Sequence, residues 1–141
     1  MKGQCAVILA AFLAVSSALK CAGADLLRQV QAIPLPNVEG RIDHFGVDVQ
    51  GQRLFVAALG NNTVEVLDLR AGKRLMSITG LKEPQGLFYV PGSNRLFVAN
   101  GDDGTCRMFD ANSCKLLGTI NFSSDADNVR YDAAQNQIYV G

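Results

Sequence analysis

The stretch RLFVAA at residues 53–58 returns as RLFVAN at residues 95–100 and, shortened, as QIYVG at residues 137–141, each time 42 positions further along the chain. The flanking residues repeat at the same spacing, since Asp68 corresponds to Asp110. Each copy is rich in the β-branched, aromatic and aliphatic residues that favour strands. A strand-rich repeat with a period near 42 residues predicts the blades of a β-propeller.

Turn-forming residues divide each period into four short segments with the composition of strands. The predicted strands are residues 46–50, 53–59, 63–69 and 73–79 in the first period, and residues 86–90, 95–100, 105–110 and 114–122 in the second. The run from Leu54 to Leu59 is apolar on both faces, which predicts a sheet covered by a neighbouring sheet on each side. We therefore predict an all-β fold, a β-propeller with four-stranded blades, of which about two and a half are present.

The third period is incomplete. It begins at Asp127 and supplies a second strand, but the sequence reaches Gly141 before a third one. Because propellers close with about four to eight blades, we expect this sequence to be a fragment. Its first predicted partners are the missing C-terminal blades of the same protein, and closure with other copies of this chain is the alternative.

The first 24 residues differ in kind from the rest. Lys2 precedes an apolar run at residues 6–15, and Ala22-Gly23-Ala24 has the small-x-small pattern of a cleavage site. We therefore predict a cleaved signal peptide and a periplasmic or secreted protein. The apolar run is shorter than the roughly 20 residues of a spanning helix, so we predict no membrane span, with a lipoprotein through Cys21 as an alternative. The predicted organisation is a signal peptide (1–24), an outer strand of the closing blade with a linker (25–41), a first repeat (42–84), a second repeat (85–126) and an incomplete third repeat (127–141).

The charge balance argues against a nucleic-acid partner. The sequence carries 13 Lys and Arg against 13 Asp and Glu, so there is no basic excess to bind phosphates. Several motifs of catalysis or cofactor binding are absent from the sequence: a Gly-rich phosphate loop, a C-x-x-C-H haem attachment site, a G-x-S-x-G nucleophile elbow and an H-E-x-x-H metal helix. We predict no cofactor and find no recognisable catalytic set.

Two cysteines follow the predicted signal peptide. We expect Cys106 and Cys114 to remain unpaired, because a hairpin around residues 110–113 places Cys106 opposite Gly118, about four residues along the strand from Cys114.

Candidate ligand-binding residues come from the loops that lead into the innermost strand of each blade. These inner-strand loops are residues 41–45, 82–85 and 124–128, and in a propeller they surround one mouth of the central channel. Aligned by the strands that follow, Asp43, Glu83 and Asp125 are predicted at one equivalent position. Such carboxylates suit a cation or another polar ligand, and the alternative is that they form turns by accepting nearby backbone N–H groups. The full candidate set is Asp43, His44, Glu83, Gln85, Asp125, Asp127 and Asn128, and the sequence leaves a bound metal undetermined.

His44 is the single histidine of the sequence. Next to a channel mouth it suits a general base or a ligand of a metal or haem, although a lone histidine without an identified partner is equally compatible with a structural position. Asp68 and Asp110 precede turns at equivalent places in the two repeats, which predicts that they cap those turns.

The repeat motif also carries a family resemblance. An arginine or glutamine, an aliphatic residue, an aromatic residue, valine and then small residues, followed by a turn and a TVEVLD-like strand, resembles the YVTN-type β-propeller repeat of the YncE-like bacterial proteins. The resemblance covers nearly all of residues 42–141. It implies an extracytoplasmic propeller, and the broad architecture is similar to the haem d1 domain of nitrite reductase, to quinoprotein amine dehydrogenases and to lactonases of the gluconolactonase type.

Two functional hypotheses follow. The first is an extracytoplasmic propeller module, not an enzyme, that binds a small molecule or a protein at its channel face. The alternative is a propeller-type oxidoreductase or hydrolase that uses a metal or redox cofactor, with Asp43, His44 and Glu83 near the reacting groups.

Overall fold

The computed structural model describes residues 27–141 of the chain, so the predicted signal peptide lies outside the described residues. The described part is built from ten β-strands and two short 3-10 turns, Leu59–Asn61 and Pro91–Ser93. The strands are β1 (Phe45–Asp48), β2 (Arg53–Ala58), β3 (Thr63–Asp68), β4 (Lys73–Ile78), β5 (Pro84–Val90), β6 (Arg95–Asn100), β7 (Thr105–Asp110), β8 (Leu116–Asn121), β9 (Val129–Asp132) and β10 (Gln137–Val140).

The strands form three antiparallel sheets in chain order. The first blade contains β1–β2–β3–β4, the second contains β5–β6–β7–β8, and the partial third blade contains β9 and β10. Consecutive blades pack face to face, which is the arrangement predicted from the repeat. The prediction of an all-β fold with four-stranded propeller blades is therefore confirmed.

A left-handed residue precedes the second strand of every blade. Gln52, Asn94 and Asn136 stand at φ values of 52°, 51° and 52°. Asparagine tolerates this region better than most residues do, and the reversed backbone lets the chain turn from the first strand to the second. The 42-residue period of the sequence thus reappears in the backbone conformation.

The main hydrophobic core lies between the first and second blades. The first blade contributes Phe55, Val64 and Ile78, and the second contributes Leu96 and Val98 among others. A smaller core around Ala99, Ala126 and Val129 joins the second blade to the third. Side chains on opposite faces of the second blade therefore enter different cores, which explains why its strands are apolar throughout.

Several strand ends differ by one or two residues from the sequence-based prediction, and two of them bear on the candidate residues and the cysteines. Strand β5 begins at Pro84, so Gln85 belongs to a strand and not to the loop before it, and a bulge separates Pro84 from Leu87. Strand β8 begins at Leu116. Proline is accommodated at the first position of a strand because it has no N–H to contribute to the ladder.

The cysteines are both unpaired, as predicted. Cys106 faces Ile120, however, and Gly118 faces Met108, so the predicted partner of Cys106 was wrong. The register of β7 and β8 shifts between Met108 and Phe109, and a bulge of this kind is invisible to counting from the turn. Burial raises the pKa of the Cys106 thiol to about 11 and also raises the pKa of Cys114.

The predicted outer strand near the N-terminus has no strand structure. Residues 27–44 contain no β-ladder, and Val30, Ile33 and Leu35 lie along one wall of a cavity of about 350 Å³ whose other wall is the outer face of the first blade. A fourth strand needs a third strand beside it, and the described residues hold none at this place. The assignment of this segment to a closing blade stays a prediction.

Across residues 27–141, the structure contains no helix with the length and hydrophobicity required to cross a membrane.

Candidate functional site

The strand register aligns the three inner-strand loops. Three pairs hold the same place in the ladders of the three blades: Phe45 with Val56, Leu87 with Val98, and Val129 with Val140. Asp43, Gln85 and Asp127 each lie two residues before the first member of these pairs, which are Phe45, Leu87 and Val129. The prediction that Asp43 shares its position with Glu83 and Asp125 was therefore wrong. It matched acidic residues as if all three positions lay in loops, whereas Gln85 belongs to strand β5.

Backbone contacts confirm this alignment. The N–H of Asp43 donates to the carbonyl of Ala57 at 2.9 Å, and the N–H of Asp127 donates to the carbonyl of Gly141 at 2.7 Å. Glu83 instead corresponds to Arg41, since the carbonyls of both accept an N–H at 3.0 Å from the glycine that follows the second strand. The loops and these strand ends lie together, and we call this end of the blades the channel end.

Asp43 is the centre of a small charged cluster in the first loop. Its Oδ2 accepts a hydrogen bond from Arg41 Nη2 at 2.5 Å, and its Oδ1 lies 2.9 Å from Nδ1 of His44. The carboxylate side chain is 13% exposed, whereas the side chains of Arg41 and His44 are 68% and 36% exposed. Although Oδ1 of Asp43 lies close, the buried Nδ1 of His44 makes no hydrogen bond within residues 27–141.

Glu83 holds the junction between the first two blades through its backbone. It has a φ of 49°, its N–H donates to Oδ1 of Asn62 at 2.8 Å, and its carbonyl accepts from Gly101 at 3.0 Å. The left-handed conformation points these two groups toward different blades. The residue is exposed, and the contacts that fix it come from its main chain.

Gln85 and Asp125 meet above Gly101. A side chain at Gly101 would place its Cβ 2.0 Å from Nε2 of Gln85 and 2.9 Å from Oδ1 of Asp125. Position 101 must therefore be glycine for these two side chains to occupy the turn after β6. The structure brings together an amide and a carboxylate that the sequence had placed in separate loops.

Asp127 and Asn128 form the third part of the channel end. Both N–H groups donate to the carbonyl of Gly141, at 2.7 and 3.1 Å, and Nδ2 of Asn128 donates to Oδ2 of Asp127 at 3.2 Å. The carbonyl of Asp127 also approaches Gly86 so closely that a Cβ there would lie 2.2 Å away. The third loop is thus packed directly on the start of β5.

The seven candidates do not converge on one cavity. A cavity of about 580 Å³ lies at the opposite end of the first blade, against Val47, Val49 and Arg70. One of about 350 Å³ lies on the outer rim between the first two blades, against Met76 and Cys114. Among the residues that the structure describes, no three His, Cys, Asp or Glu side chains come close enough together to hold a metal ion.

Sequence reasoning missed a buried polar network behind the first loop. Glu65 is fully buried, and its carboxylate accepts hydrogen bonds from Thr63 at 2.6 Å, from Ser77 at 2.5 Å and from Arg74 at 3.1 Å. Asn61 extends the chain to the channel end by donating to Thr63 at 3.0 Å. The sequence did contain a signal for this network, namely a lone glutamate inside the apolar run TVEVLD, because a buried charge requires partners.

The opposite end of the blades carries the turn-capping carboxylates. Oδ1 of Asp68 accepts the N–H groups of Arg70 and Ala71, each at 2.8 Å, and Oδ1 of Asp110 accepts those of Asn112 and Ser113 at 3.1 and 2.8 Å. The predicted capping is confirmed. Hydrogen bonds from the Ser113 backbone and hydroxyl hold the pKa of Asp110 below its usual value.

Asp48 and Arg53 form an ion pair at that end. Burial raises the pKa of Asp48, but the N–H of Gly51 and the guanidinium of Arg53 at 2.8 Å outweigh burial and lower it. Arg53 also reaches the second blade, where Nη1 donates to the carbonyl of Ala111 at 2.5 Å. This residue links two blades, which its place in the repeat motif did not reveal.

Comparison with known proteins supports the fold. No family model matches the chain, and none of the curated proteins matches it. Among solved structures, the chain is similar to Kuenenia stuttgartiensis hydrazine synthase, with a TM-score of 0.64 and 17% identity over 70% of this chain. That protein contains a β-propeller, and the match spans 28% of its length. At this identity the likeness concerns the fold alone.

Proposed function

We propose that this chain is the N-terminal part of an extracytoplasmic β-propeller of the YVTN type, and that its channel end binds a polar ligand without transforming it. The ligand is a small molecule or a polar surface of another protein. Further blades of the same protein cover the open faces of the first and third blades. The leader-like composition of residues 1–24 and the exposed apolar side chains of the open faces support these assignments.

The observation that carries the proposal is the cluster of Arg41, Asp43 and His44. Its carboxylate is nearly covered, while the guanidinium and the imidazole on either side are partly exposed. The loop therefore offers hydrogen-bond donors to solvent, with a negative charge held behind them. These donors suit a ligand that carries hydroxyl, amide or carboxylate oxygens, because a few fixed polar groups determine how a ligand is oriented.

The start of β5 and the third loop contribute groups of the opposite kind. Gln85 and Asp125, close together over Gly101, present an amide and a carboxylate, so the channel end offers both donors and acceptors. Asp127 and Asn128 have their main chains fixed by Gly141, which leaves their position rigid. Rigid polar groups bind with less loss of conformational freedom than mobile ones do.

The test is a binding screen by nuclear magnetic resonance on the full chain, with a panel of sugars, amino acids, organic acids, Ca²⁺ and Zn²⁺ as probes. We expect at least one probe to shift the backbone signals of residues 41–44 and 125–128, and the variants Asp43→Asn and His44→Gln to abolish those shifts. Asp68→Asn, at the opposite end, is the matched control. Shifts confined to the opposite end, or equal losses in all three variants, would contradict the proposal.

A second candidate function is hydrolysis, and the contact between Asp43 and His44 favours it. The Asp43 carboxylate lies 2.9 Å from Nδ1 of His44, and a turn of the ring that brought Nδ1–H into line with it would orient the imidazole so that Nε2 can accept a proton, as a general base does. The same contact gives no support to the redox alternative. Assays with lactone and ester substrates test the idea: turnover that falls about 100-fold or more in His44→Gln would establish it, and binding without turnover would leave the module as a binder.

A further inference from the structure

Asn100 and Gly101 form the one Asn-Gly pair of the sequence. In such a pair the backbone nitrogen of the glycine can attack the carbonyl carbon of the asparagine side chain, because glycine has no side chain to hinder the approach. The glycine nitrogen gives up its proton, the side-chain amide leaves as ammonia, and water opens the resulting succinimide to aspartate or isoaspartate. The reaction needs no reagent besides water, so only the structure around the pair controls it.

The connection between the first and second blades holds both reacting groups. We call its residues Lys82 and Glu83 the blade junction. The N–H of Lys82 donates to Oδ1 of Asn100 at 3.3 Å, and the carbonyl of Glu83 accepts the N–H of Gly101 at 3.0 Å. Succinimide formation requires the side-chain amide and the glycine nitrogen to turn toward each other, so both hydrogen bonds to the blade junction must break first.

The side chain of Asn100 is also fixed within its own blade. It is fully buried, and Nδ2 lies 3.2 Å from Oγ1 of Thr105 and 3.4 Å from the carbonyls of Thr105 and Val98. These contacts restrict rotation of the amide, and burial excludes the water that would open a succinimide. The Asn-Gly pair is therefore closed to this chemistry while the two blades are in contact.

Asn62 attaches the first blade to the blade junction. Its Oδ1 accepts the N–H of Glu83 at 2.8 Å, and both residues have a left-handed backbone, with φ values of 57° and 49°. The equivalent position in the second blade is Gly104, which has no side chain to make such a bond. A chain of hydrogen bonds thus runs from Asn62 through the blade junction to Asn100 and Gly101.

We propose that Asn100 is a deamidation site that the blade junction keeps closed and that reacts when the first two blades separate locally. Deamidation then prevents the junction from closing again. In aspartate a carboxylate replaces the Nδ2 donor and faces the oxygens of Thr105 and Val98, and a buried charge without a partner is costly. Isoaspartate lengthens the main chain by one atom at the end of β6. The inference goes beyond the proposed function, since it depends on neither a ligand nor a location.

The test incubates the full chain at mildly alkaline pH and follows the conversion of Asn100 to aspartate and isoaspartate by peptide mapping and mass spectrometry. A synthetic peptide that copies residues 96–105 supplies the rate of the unprotected pair. We expect the folded chain to react at least about 10-fold more slowly than the peptide, because the reaction waits for a local opening. A denaturant that unfolds the chain should remove this difference.

Variants at Asn62 test the role of the blade junction. Asn62→Ala should accelerate deamidation of Asn100 about fivefold, because a hydrogen bond that holds Glu83 is lost. Asn62→Asp keeps an acceptor and should react within about twofold of the parent. The matched control is Asn136→Ala, which also lies at a left-handed position, with φ 52°, and loses a hydrogen bond from Tyr131. It should change the rate less than about twofold.

Hydrogen exchange of the Gly101 N–H supplies a second measurement, since this group must leave the carbonyl of Glu83 both to exchange and to react. Asn62→Ala should raise the exchange rate and the deamidation rate by the same factor. Four outcomes would overturn the inference: a folded parent as reactive as the peptide, no acceleration in Asn62→Ala, equal acceleration in Asn62→Ala and Asn136→Ala, or faster exchange without faster deamidation.

The consequence of deamidation is tested with Asn100→Asp, which reproduces one product. Its melting temperature should fall by at least about 4 °C, because a buried site acquires a charge and loses a donor. Asn112→Asp introduces the same change at an exposed residue and should shift the melting temperature by less than about 2 °C. Equal shifts in the two variants would contradict the proposed loss of closure.

Discussion

The interface between the first and second blades and the interface between the second and third use equivalent residues but differ in how far those residues are covered. Leu96 is fully buried at the first interface, while Ile138, its equivalent in the third blade, is half-buried. The strands are the same in type and pairing order, although their lengths range from four residues in β1 to seven in β5. Strand formation is thus a local property of the repeat motif, and burial depends on how much of the next blade is present.

Charged residues show the same difference. The side chain of Arg53 is 15% exposed and bonds to Asp48 and Ala111, whereas Arg95 is exposed. Two arginines that the sequence presents as copies therefore differ in their partners, because Asp48 stands opposite Arg53 and Val90 stands opposite Arg95. Matched substitutions at the two interfaces measure this difference directly.

The largest effect is expected in the two cores. Leu96→Ala should lower the free energy of unfolding by about 2–5 kcal/mol, because it leaves a cavity in a fully packed site. Ile138→Ala, at the equivalent position, should cost less than about 1.5 kcal/mol, because the remaining gap is open to solvent. Urea unfolding followed by circular dichroism measures both values. Equal losses would mean that the second interface is as well packed as the first.

The next effect concerns the link between blades. Arg53→Ala should cost about 1.5–3 kcal/mol, since it removes charge-assisted hydrogen bonds and leaves the carboxylate of Asp48 buried without its partner. Arg95→Ala should stay within about 0.5 kcal/mol, as exposed substitutions usually do. The same unfolding experiment compares them. A large loss of unfolding free energy in Arg95→Ala would show that this side chain also makes a contact that stabilises the fold.

A smaller effect separates the two ends of the first blade. Asp68→Ala should destabilise the chain by about 0.5–2 kcal/mol, by analogy with the loss of a helix cap, because two N–H groups lose their acceptor. Glu83→Ala at the channel end should leave the melting temperature nearly unchanged, since its fixed contacts come from the main chain. Differential scanning fluorimetry of both variants provides the comparison. A drop in Glu83→Ala comparable to that of Asp68→Ala would assign Glu83 to the scaffold.

The smallest effect appears only as a function of pH. The folded pKa of Asp48 lies below its ordinary value of 3.8, so its contribution to stability is present above about pH 4 and is lost as the pH falls through the lowered folded pKa. The gap in unfolding free energy between the parent and Asp48→Asn should therefore narrow between pH 6 and pH 2.5. Asp132→Asn is the matched control, because residue 137 is glutamine where residue 53 is arginine. A gap that is independent of pH would contradict the pairing with Arg53.

The sequence predicted the features that repeat in every blade, and it missed those that depend on how a neighbouring strand or blade is placed. The strands, the unpaired cysteines and the capping by Asp68 followed from the 42-residue period and from turn chemistry. The partner of Cys106 did not, because the register of β7 and β8 differs by two residues from the predicted one and a bulge does not show in the pattern. Glu83 was misplaced for another reason, since the 42-residue spacing itself takes Asp43 to Gln85 and Asp127. The link from Arg53 to Ala111 depends on how two blades are placed, which no local pattern encodes.

The candidate site was predicted in part. Its location at one end of the blades followed from the topology, but the pairing of Asp43 with His44 and the meeting of Gln85 with Asp125 depend on side-chain directions and on a glycine that permits close approach. Glu65 was missed because the candidate residues were taken from loops, whereas this residue lies within a strand. A charged residue inside an apolar strand is the signal to use in related repeats.

The raised pKa of Cys106 has a chemical consequence at the extracytoplasmic location that we propose, where conditions are oxidising. With a pKa of about 11, the thiol is ionised in only about one molecule in 10,000 at pH 7, and the thiolate is the form that attacks disulfides and reacts with oxidants. Mixed disulfides with glutathione and oxidation to sulfenic acid should therefore form slowly at this position. Its burial, with only 3% of Cys106 exposed, thus protects the thiol against oxidants in its surroundings.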